Sequence, residues 1–278
     1  MPSSLSKRLG FVGGGVITEA IVSRLLISET VLPEEVFIRE VDEERAQGLQ
    51  AQYSIQLCES YEQLVDKADV LLLAVRPQVF AQDKSAFTLP EGANVEKVIS
   101  LMTGVPIAIL ESIFAETPVV RVIPNTPATV GSGITAITPG SKAQQKELVI
   151  TRTIFETVGQ VVFVPEISLD AVVALSASGP AYLSVAIEAF TDAGVSLGLP
   201  RPIAYGLAVQ TMRGTADLLS TTKMHPAVLR DRIAGPSGPT VAGIKALEKA
   251  GFRTALHEAV QASYDQSQYL DALSESDS

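Results

Sequence analysis

Two kinds of hydrophobic pattern, divided near residue 165, predict an α/β N-terminal domain followed by an all-helical C-terminal domain. From Leu9 to about Pro165, short β-rich runs alternate with helical ones, the pattern of a largely parallel sheet flanked by helices. After Pro165 the β signals stop and apolar residues recur at helical spacing. The domains are therefore expected at residues 1–165 and 166–278. A chain of 278 residues suffices for two cores.

Taken in order, Leu9 to Val12 is the first strand and Glu19 to Ser28 the first helix. Val36 to Ile38 is a second strand and Glu43 to Ala51 a second helix. The run Val70 to Val75 is continuously apolar, the mark of a strand buried on both faces. Further strands are expected at Val98 to Leu101, Val119 to Ile123, Ile134 to Ile137 and Val161 to Val164. Helices follow at Ala171 to Leu197, Ile203 to Leu219, Ala227 to Ile233, Thr240 to Lys249 and Phe252 to Ala272. This second domain, of about 110 residues, carries more apolar positions than so small a unit hides alone, which predicts self-association.

Composition narrows the function classes. With 46% hydrophobic and 19% charged residues the chain packs rather than staying disordered. A net charge of −10 argues against nucleic acid or an anionic membrane surface as partner, so an anionic ligand needs local donors. The single cysteine, Cys58, excludes an internal disulfide or a multi-cysteine metal site and fits a reducing, cytoplasmic compartment. Lys7 and Arg8 precede an apolar run, but the glycines at 13 to 15 and Glu19 interrupt it, and no export signal is read. The uncharged stretch between Asp170 and Glu188 is short, contains serines and a Gly-Pro pair, and is expected as a buried helix rather than a membrane span.

The first strand runs directly into Gly13-Gly14-Gly15-Val16-Ile17-Thr18 and then a helix, the context a dinucleotide-binding turn requires. Gly13 makes the turn and Gly15 admits a pyrophosphate to the helix N-terminus, with Thr18 where a third glycine or alanine would pack. The α/β domain is therefore of Rossmann type. At the end of the second strand Glu40 can bind ribose hydroxyls and repel a 2′-phosphate, whereas Arg39 can pair with that phosphate. The two point in opposite directions, and an exposed surface pair explains both equally well. Near the C-terminus, Gly235-Pro236-Ser237-Gly238-Pro239-Thr240 precedes a helical pattern and aims N–H groups and hydroxyls at one point, as an anion clasp does.

Several long motifs together resemble the pyrroline-5-carboxylate reductase family, whose members transfer hydride to a cyclic imine to make proline. The resemblance is carried by LGFVGGGVITEAI at 9–21, ADVLLLAVRPQ at 68–78 and VVRVIPNTPATVGSGITAI at 119–137. It continues through ALSASGPAYLSVAIEAFTDAGVSLGLPR at 174–201 and HPAVLRDRIAGPSGPTVAGIKALEKAGFR at 225–253, nearly the full chain.

The resemblance implies NADPH, with NADH as the alternative, held by Gly13, Gly14, Gly15, Val16, Ile17, Arg39, Glu40, Ala74, Val75, Arg76 and Pro77, with Asn125, Thr126 and Pro127 near the nicotinamide. It implies that Ser178, Gly179 and Pro180 line the hydride-transfer site. Gly235, Ser237, Gly238 and Thr240 would hold the substrate carboxylate, and the Thr240 hydroxyl the ring nitrogen. Thr240 and Ser178 are thus the expected catalytic residues. It also implies a homodimer or higher oligomer with helices exchanged at the interface.

Family members usually read Ser-Pro-Gly-Gly-Thr-Thr across the last loop; here Gly235 replaces a serine, Ser237 a glycine, and Pro239 removes an N–H. These departures raise a specialised reductase of a substituted pyrroline carboxylate, or of another cyclic imine, as the alternative. A non-catalytic nucleotide-binding or scaffold homologue is the alternative of another class. Related β-hydroxyacid dehydrogenases use a lysine in the second domain's first helix, and none lies between Asp170 and Arg201. Glu188 and Asp192, four residues apart, are read as a solvated or interface helix face, and no metal is expected.

Overall fold

A computed structural model describes residues 5–276 of the chain. By its internal contacts the chain falls into two compact units, one holding the residues up to 178 together with those from 263 on, the other Gly179–Ala262.

The first unit is an α/β sandwich. Its strands are β1 (Leu9–Val12), β2 (Val36–Arg39), β3 (Gln56–Leu57), β4 (Val70–Leu73), β5 (Lys97–Ser100), β6 (Val119–Ile123), β7 (Gly133–Pro139) and β8 (Gly159–Phe163). They form one sheet in the order β3-β2-β1-β4-β5-β6-β7-β8. Pairing is parallel except between β6 and β7, where Val122 lies opposite Ile137. The connecting helices are α1 (Val16–Ile27), α2 (Glu43–Tyr53), α3 (Tyr61–Lys67), α4 (Pro77–Gln82), α5 (Ile107–Ile113) and α6 (Gln145–Glu156). Strand order turns back between β1 and β4, so their carboxyl ends open a crevice where a doubly wound fold binds its ligand.

Alternation along β4 shows how both faces are filled. Val70 and Leu72 join a core with Phe11, Ile21, Leu25 and Phe155. Leu71 and Leu73 join another with Phe37, Leu64, Phe80 and Phe114. Successive side chains of a strand point to opposite faces, which is why a buried parallel strand reads as an unbroken apolar run. The run at 70–75 overstates the strand by two residues, because Ala74 and Val75 turn out of the sheet toward Pro77, which begins α4. β3 carries no signal of its own; two residues pair with β2 through Phe37 and Ile38. Asp42 caps α2 by accepting from Arg45 N at 3.0 Å, and Ser60 caps α3 by accepting from Gln63 N at 3.2 Å. α1 has only Gly15 at that position and no side-chain cap, leaving its first N–H groups without an acceptor inside the helix.

Beyond β8 the chain is helical: α7 (Leu169–Val172), a π-helical turn (Val173–Ala177), α8 (Gly179–Ser196), α9 (Arg201–Thr222), α10 (Pro226–Ile233), α11 (Pro239–Lys249) and α12 (Phe252–Ser276). In the second unit α8 and α9 approach closely where Gly194 meets Ala204, a Cβ at 194 coming within 3.0 Å of the alanine methyl. Among the described residues of this unit only Thr191, Ala204 and Ala208 are fully buried. Val185 is 66% exposed and Leu197 87% exposed. The helical run 166–196 is longer than the uncharged stretch 170–188 suggests; it holds an 18-residue window, 11% of it buried, that meets the length and composition of a membrane span. An apolar face of that extent needs cover, by lipid or by protein.

Candidate active site

The glycine turn is built around residues whose side chains have no room. Gly13 sits at φ +101°, and a Cβ there would stand 2.9 Å from the backbone oxygen of Ala74. Only glycine accepts both conditions without strain. Gly13 N donates to Arg39 O and Ala74 N to Val12 O, each at 2.9 Å, tying the turn to both neighbouring strands. Gly15, by contrast, faces open space. Thr18 explains its own presence where a smaller residue is usual: fully buried, it donates Oγ1 to Gly13 O at 2.8 Å and latches the turn.

A cavity of about 260 Å³ opens beside this turn, lined by Gly15, Ile17, Thr18, Ala74, Leu101, Thr103, Ile123, Pro124 and Ala177. These residues come from the carboxyl ends of β1, β4, β5 and β6 and from the π-helical turn. Gly15, Ile17 and Ala74 of the expected cofactor residues thus share one cavity. Val16 is exposed beside it, Arg76 is exposed and precedes α4, and Pro77 is the first residue of α4.

Arg39 and Glu40 lie at the neighbouring strand end, on a separate cleft of about 410 Å³. The Glu40 carboxylate accepts from Gly14 N at 2.6 Å, Val41 N at 2.7 Å and Asp42 N at 3.0 Å. Arg39 Nη1 donates to the Glu40 carbonyl at 2.5 Å. Arg45, from the first turn of α2, donates Nε to Gly14 O at 2.8 Å and pairs with Glu19 at 2.5 Å, while the Tyr53 hydroxyl donates to Glu19 at 3.1 Å. The Gly14 residue is therefore held on its N–H side by Glu40 and on its carbonyl side by Arg45. Cys58 also borders this cleft, its thiol pushed up by burial.

Pro180 leaves a carbonyl of the π-helical turn without its α-helical donor. In an unbroken α-helix the Ser176 carbonyl would accept from residue 180, but proline has no N–H to give. Asn125 Nδ2 takes up that oxygen at 3.3 Å; separately, Ser178 N passes over Ala174 O and donates to Val173 O at 3.0 Å, the wider π spacing. Asn125 Oδ1 in turn accepts from Ile134 N at 2.9 Å, so this side chain bonds the β6 exit to the turn. The Ser178 hydroxyl faces that of Ser263 at 3.1 Å. Thr126 is exposed and starts a short 3₁₀ turn, with Pro127 second in it.

In the second unit, Gly179 and Pro180 open α8 and the clasp loop joins α10 to α11. Gly238 N donates to Gly235 O at 3.1 Å, closing a turn with Pro236 and Ser237 at its centre. Ser237 has φ +59°, so the turn is of type II and holds a serine where glycine is preferred. Gly238 is the N-cap of α11 and offers no side-chain cap, and the first intrahelical bond is Ala242 N to Gly238 O. The N–H groups of Thr240 and Val241 have no acceptor within the helix, and Pro239 has no N–H at all.

Comparison with known proteins bears on what these features have in common. Residues 166–270 match the family model for pyrroline-5-carboxylate reductase dimerisation, and residues 8–104 match that for coenzyme F420-dependent NADP oxidoreductases. A pyrroline-5-carboxylate reductase of Synechocystis sp. is 44% identical over 266 residues, covering 96% of this chain and 99% of its own. The chain belongs to the pyrroline-5-carboxylate reductase family. A second relative of that name, from Corynebacterium melassecola, is 40% identical over 94% of this chain and 98% of its own. The structure of a Plasmodium falciparum pyrroline carboxylate reductase with NADP bound superposes with a TM-score of 0.87 at 26% identity, covering 97% of this chain and all of that one.

Within this family member, sequence reasoning missed several residues that border the cavity or its walls. Ile123 ends β6, Leu101 and Pro124 directly follow β5 and β6, and Thr103 lies three residues past β5; a rule naming the residue after each parallel strand would have found Leu101 and Pro124. Ser263 faces Ser178 from a helix 85 residues away, and no local pattern marks it. Arg45 looks like one more charge on a polar helix until its contact with Gly14 O is known.

Proposed function

We propose that this chain reduces 1-pyrroline-5-carboxylate to proline with hydride from NADPH, or from NADH. The observation that carries the reading is the glycine turn opening on a cavity at the strand switch point, in a chain 44% identical over nearly its full length to a curated pyrroline-5-carboxylate reductase. The NADP-bound relative and the NADP oxidoreductase model support the cofactor.

The residues present fit a dinucleotide. Gly15 leaves open space at the uncapped start of α1, where the N–H groups of residues 16–18 have no helical acceptor and can hold a pyrophosphate. Ala74 to Pro77 and Asn125 to Pro127, which follow β4 and β6, would help to hold it. When bound, the nicotinamide supplies the hydride. The protein's part is orientation, because a protonated imine is already electrophilic. In the second unit, the N–H groups of Thr240 and Val241, with Gly235, Ser237 and Gly238 shaping the turn, hold the substrate carboxylate. The Thr240 hydroxyl hydrogen-bonds the ring nitrogen, Ser178, Gly179 and Pro180 line the substrate, and water is the proton source.

The exposed apolar helices support a homodimer in which the second unit meets a second copy, with helices exchanged at the interface and larger rings built from such pairs. Residues 166–196 are matched throughout by the dimerisation model, which favours protein over lipid as their cover. We place the protein in the cytoplasm.

Turnover of the purified chain on 1-pyrroline-5-carboxylate, followed by loss of reduced-nicotinamide absorbance and by proline formed, tests the activity. Tight NADPH binding without turnover would refute it. The turn at Ser237 and Pro239 favours one competing reading, a substituted imine as substrate. A preference of more than about tenfold in kcat/KM for a methylated or six-membered analogue would establish it.

A further inference from the structure

We propose that Asn125 is a positioning residue for hydride transfer: its side-chain amide holds the π-helical turn against the cofactor cavity, a task that Pro180 leaves to it, and it serves the reaction through Ser176 rather than by touching the nicotinamide. The inference rests on the function proposed above. The lining of the cavity includes Ile123 and Pro124, at the exit of β6, and Ala177 of the turn. Asn125 is the residue after Pro124, and it reaches the turn one residue before Ala177.

Both ends of the amide are spent on the protein. The Ile134 N–H can only donate, so the atom facing it at 2.9 Å is Oδ1. Nδ2 is thereby turned to Ser176, 3.3 Å from its carbonyl oxygen and 3.4 Å from its hydroxyl. Each partner fixes the atom opposite it, and a flipped amide satisfies neither backbone group. One side chain therefore ties β6, the start of β7 and the turn together.

No local bond replaces it. Residue 180 is the α-helical donor to Ser176 O, and a proline there has no N–H. Val172, Val173 and Ala177 do pack against Ile123, Ala136 and Leu169, but apolar contact is non-directional and leaves the turn free to slide on that surface. Ser178, the next residue, would move with it. A shift of about 1 Å in a group that positions the reactants is enough to cost on the order of a hundredfold in rate.

The test is a double-substitution cycle on the full-length protein. Asn125→Asp keeps the side-chain length and the acceptor for Ile134 N but loses the donor to Ser176 O, whereas Asn125→Ala removes both ends and adds no charge. Each is made alone and together with Pro180→Ala, which returns an N–H at residue 180. Three quantities are read: hydrogen exchange of the backbone amides of residues 173–178, NADPH affinity by titration, and the single-turnover rate of NADPH oxidation by 1-pyrroline-5-carboxylate. Either substitution at 125 should speed the exchange and slow the single turnover by about tenfold, the scale of one hydrogen bond, while NADPH affinity stays within about twofold. Pro180→Ala should recover most of both losses in Asn125→Asp, because Ser176 O regains a donor. The inference is overturned if a folded variant keeps its exchange unchanged, if exchange rises while the rate is kept, or if Asn125→Ala escapes a loss seen in Asn125→Asp, which assigns that loss to charge. It is equally overturned if NADPH affinity falls with the rate, the mark of direct contact, or if the losses are the same with and without Pro180→Ala. An unaltered protein that transfers no hydride would overturn the proposed function itself, a result kept distinct because exchange is read without turnover.

Discussion

Lys97 opens β5 with 1% of its surface exposed, and its ammonium has no hydrogen-bond partner. Burial pushes its pKa down from 10.5 to about 8, against a weaker upward pull from Glu147 and Glu96. The folded form therefore releases the proton more readily than the unfolded one. Below about pH 8 both forms are protonated and the full penalty of the buried charge applies. Between about 8 and 10.5 the unfolded chain holds more protons, so stability rises with pH; above that window the penalty is gone.

At about 1.4 kcal/mol per pKa unit the whole effect is on the order of 3 kcal/mol. Lys97→Met keeps the length of the side chain and removes the charge. Glu147 retains a partner, since its carboxylate accepts from Gln144 N at 2.9 Å. We expect the variant to be more stable at pH 7 by about 1–3 kcal/mol, the lower end allowing for partial hydration. In calorimetry this raises the transition of the α/β unit by roughly 2–4 °C per kcal/mol. The gain should shrink steadily toward pH 10.5. A variant less stable at pH 7, or a gain independent of pH between 7 and 10, would show that Lys97 is not an uncompensated buried charge.

Three further outcomes follow from the site. Gly13→Ala forces a side chain into a left-handed conformation and against the Ala74 carbonyl, which should abolish NADPH binding by titration while helical content by circular dichroism persists. Thr240→Ala should lower kcat on 1-pyrroline-5-carboxylate with cofactor affinity unchanged; unaltered kcat would remove the hydroxyl from the mechanism. Pro239→Ala supplies an N–H at the start of α11, and a new hydrogen bond to a carboxylate, worth roughly 1.5–3 kcal/mol, should lower KM by about tenfold or more.

The parts legible in the sequence are those in which one short segment does its own work. Leu9 to Gly15 announce a strand, a turn and a helix start because each need is met by neighbouring residues, and Val70 to Leu73 announce a doubly buried strand by their run alone. β3 is silent because its pairing is supplied by β2 and its two residues carry no pattern. Glu40 shows the limit most clearly. Its identity and place at the end of β2 could be read, yet Arg39 beside it argued the opposite case, and nothing linear weighs one against the other. What separates them is three-dimensional: Gly14, 26 residues earlier, lends its N–H to the Glu40 carboxylate, while the Arg39 guanidinium is drawn to the Glu40 carbonyl. The same holds for Lys97, which in sequence is an ordinary charged residue before a strand and becomes costly only because β5 lies inside the sheet, between β4 and β6. Charge in this chain is therefore read from composition only in total; its local effect is decided by which backbone amides and neighbouring strands the fold brings to each group.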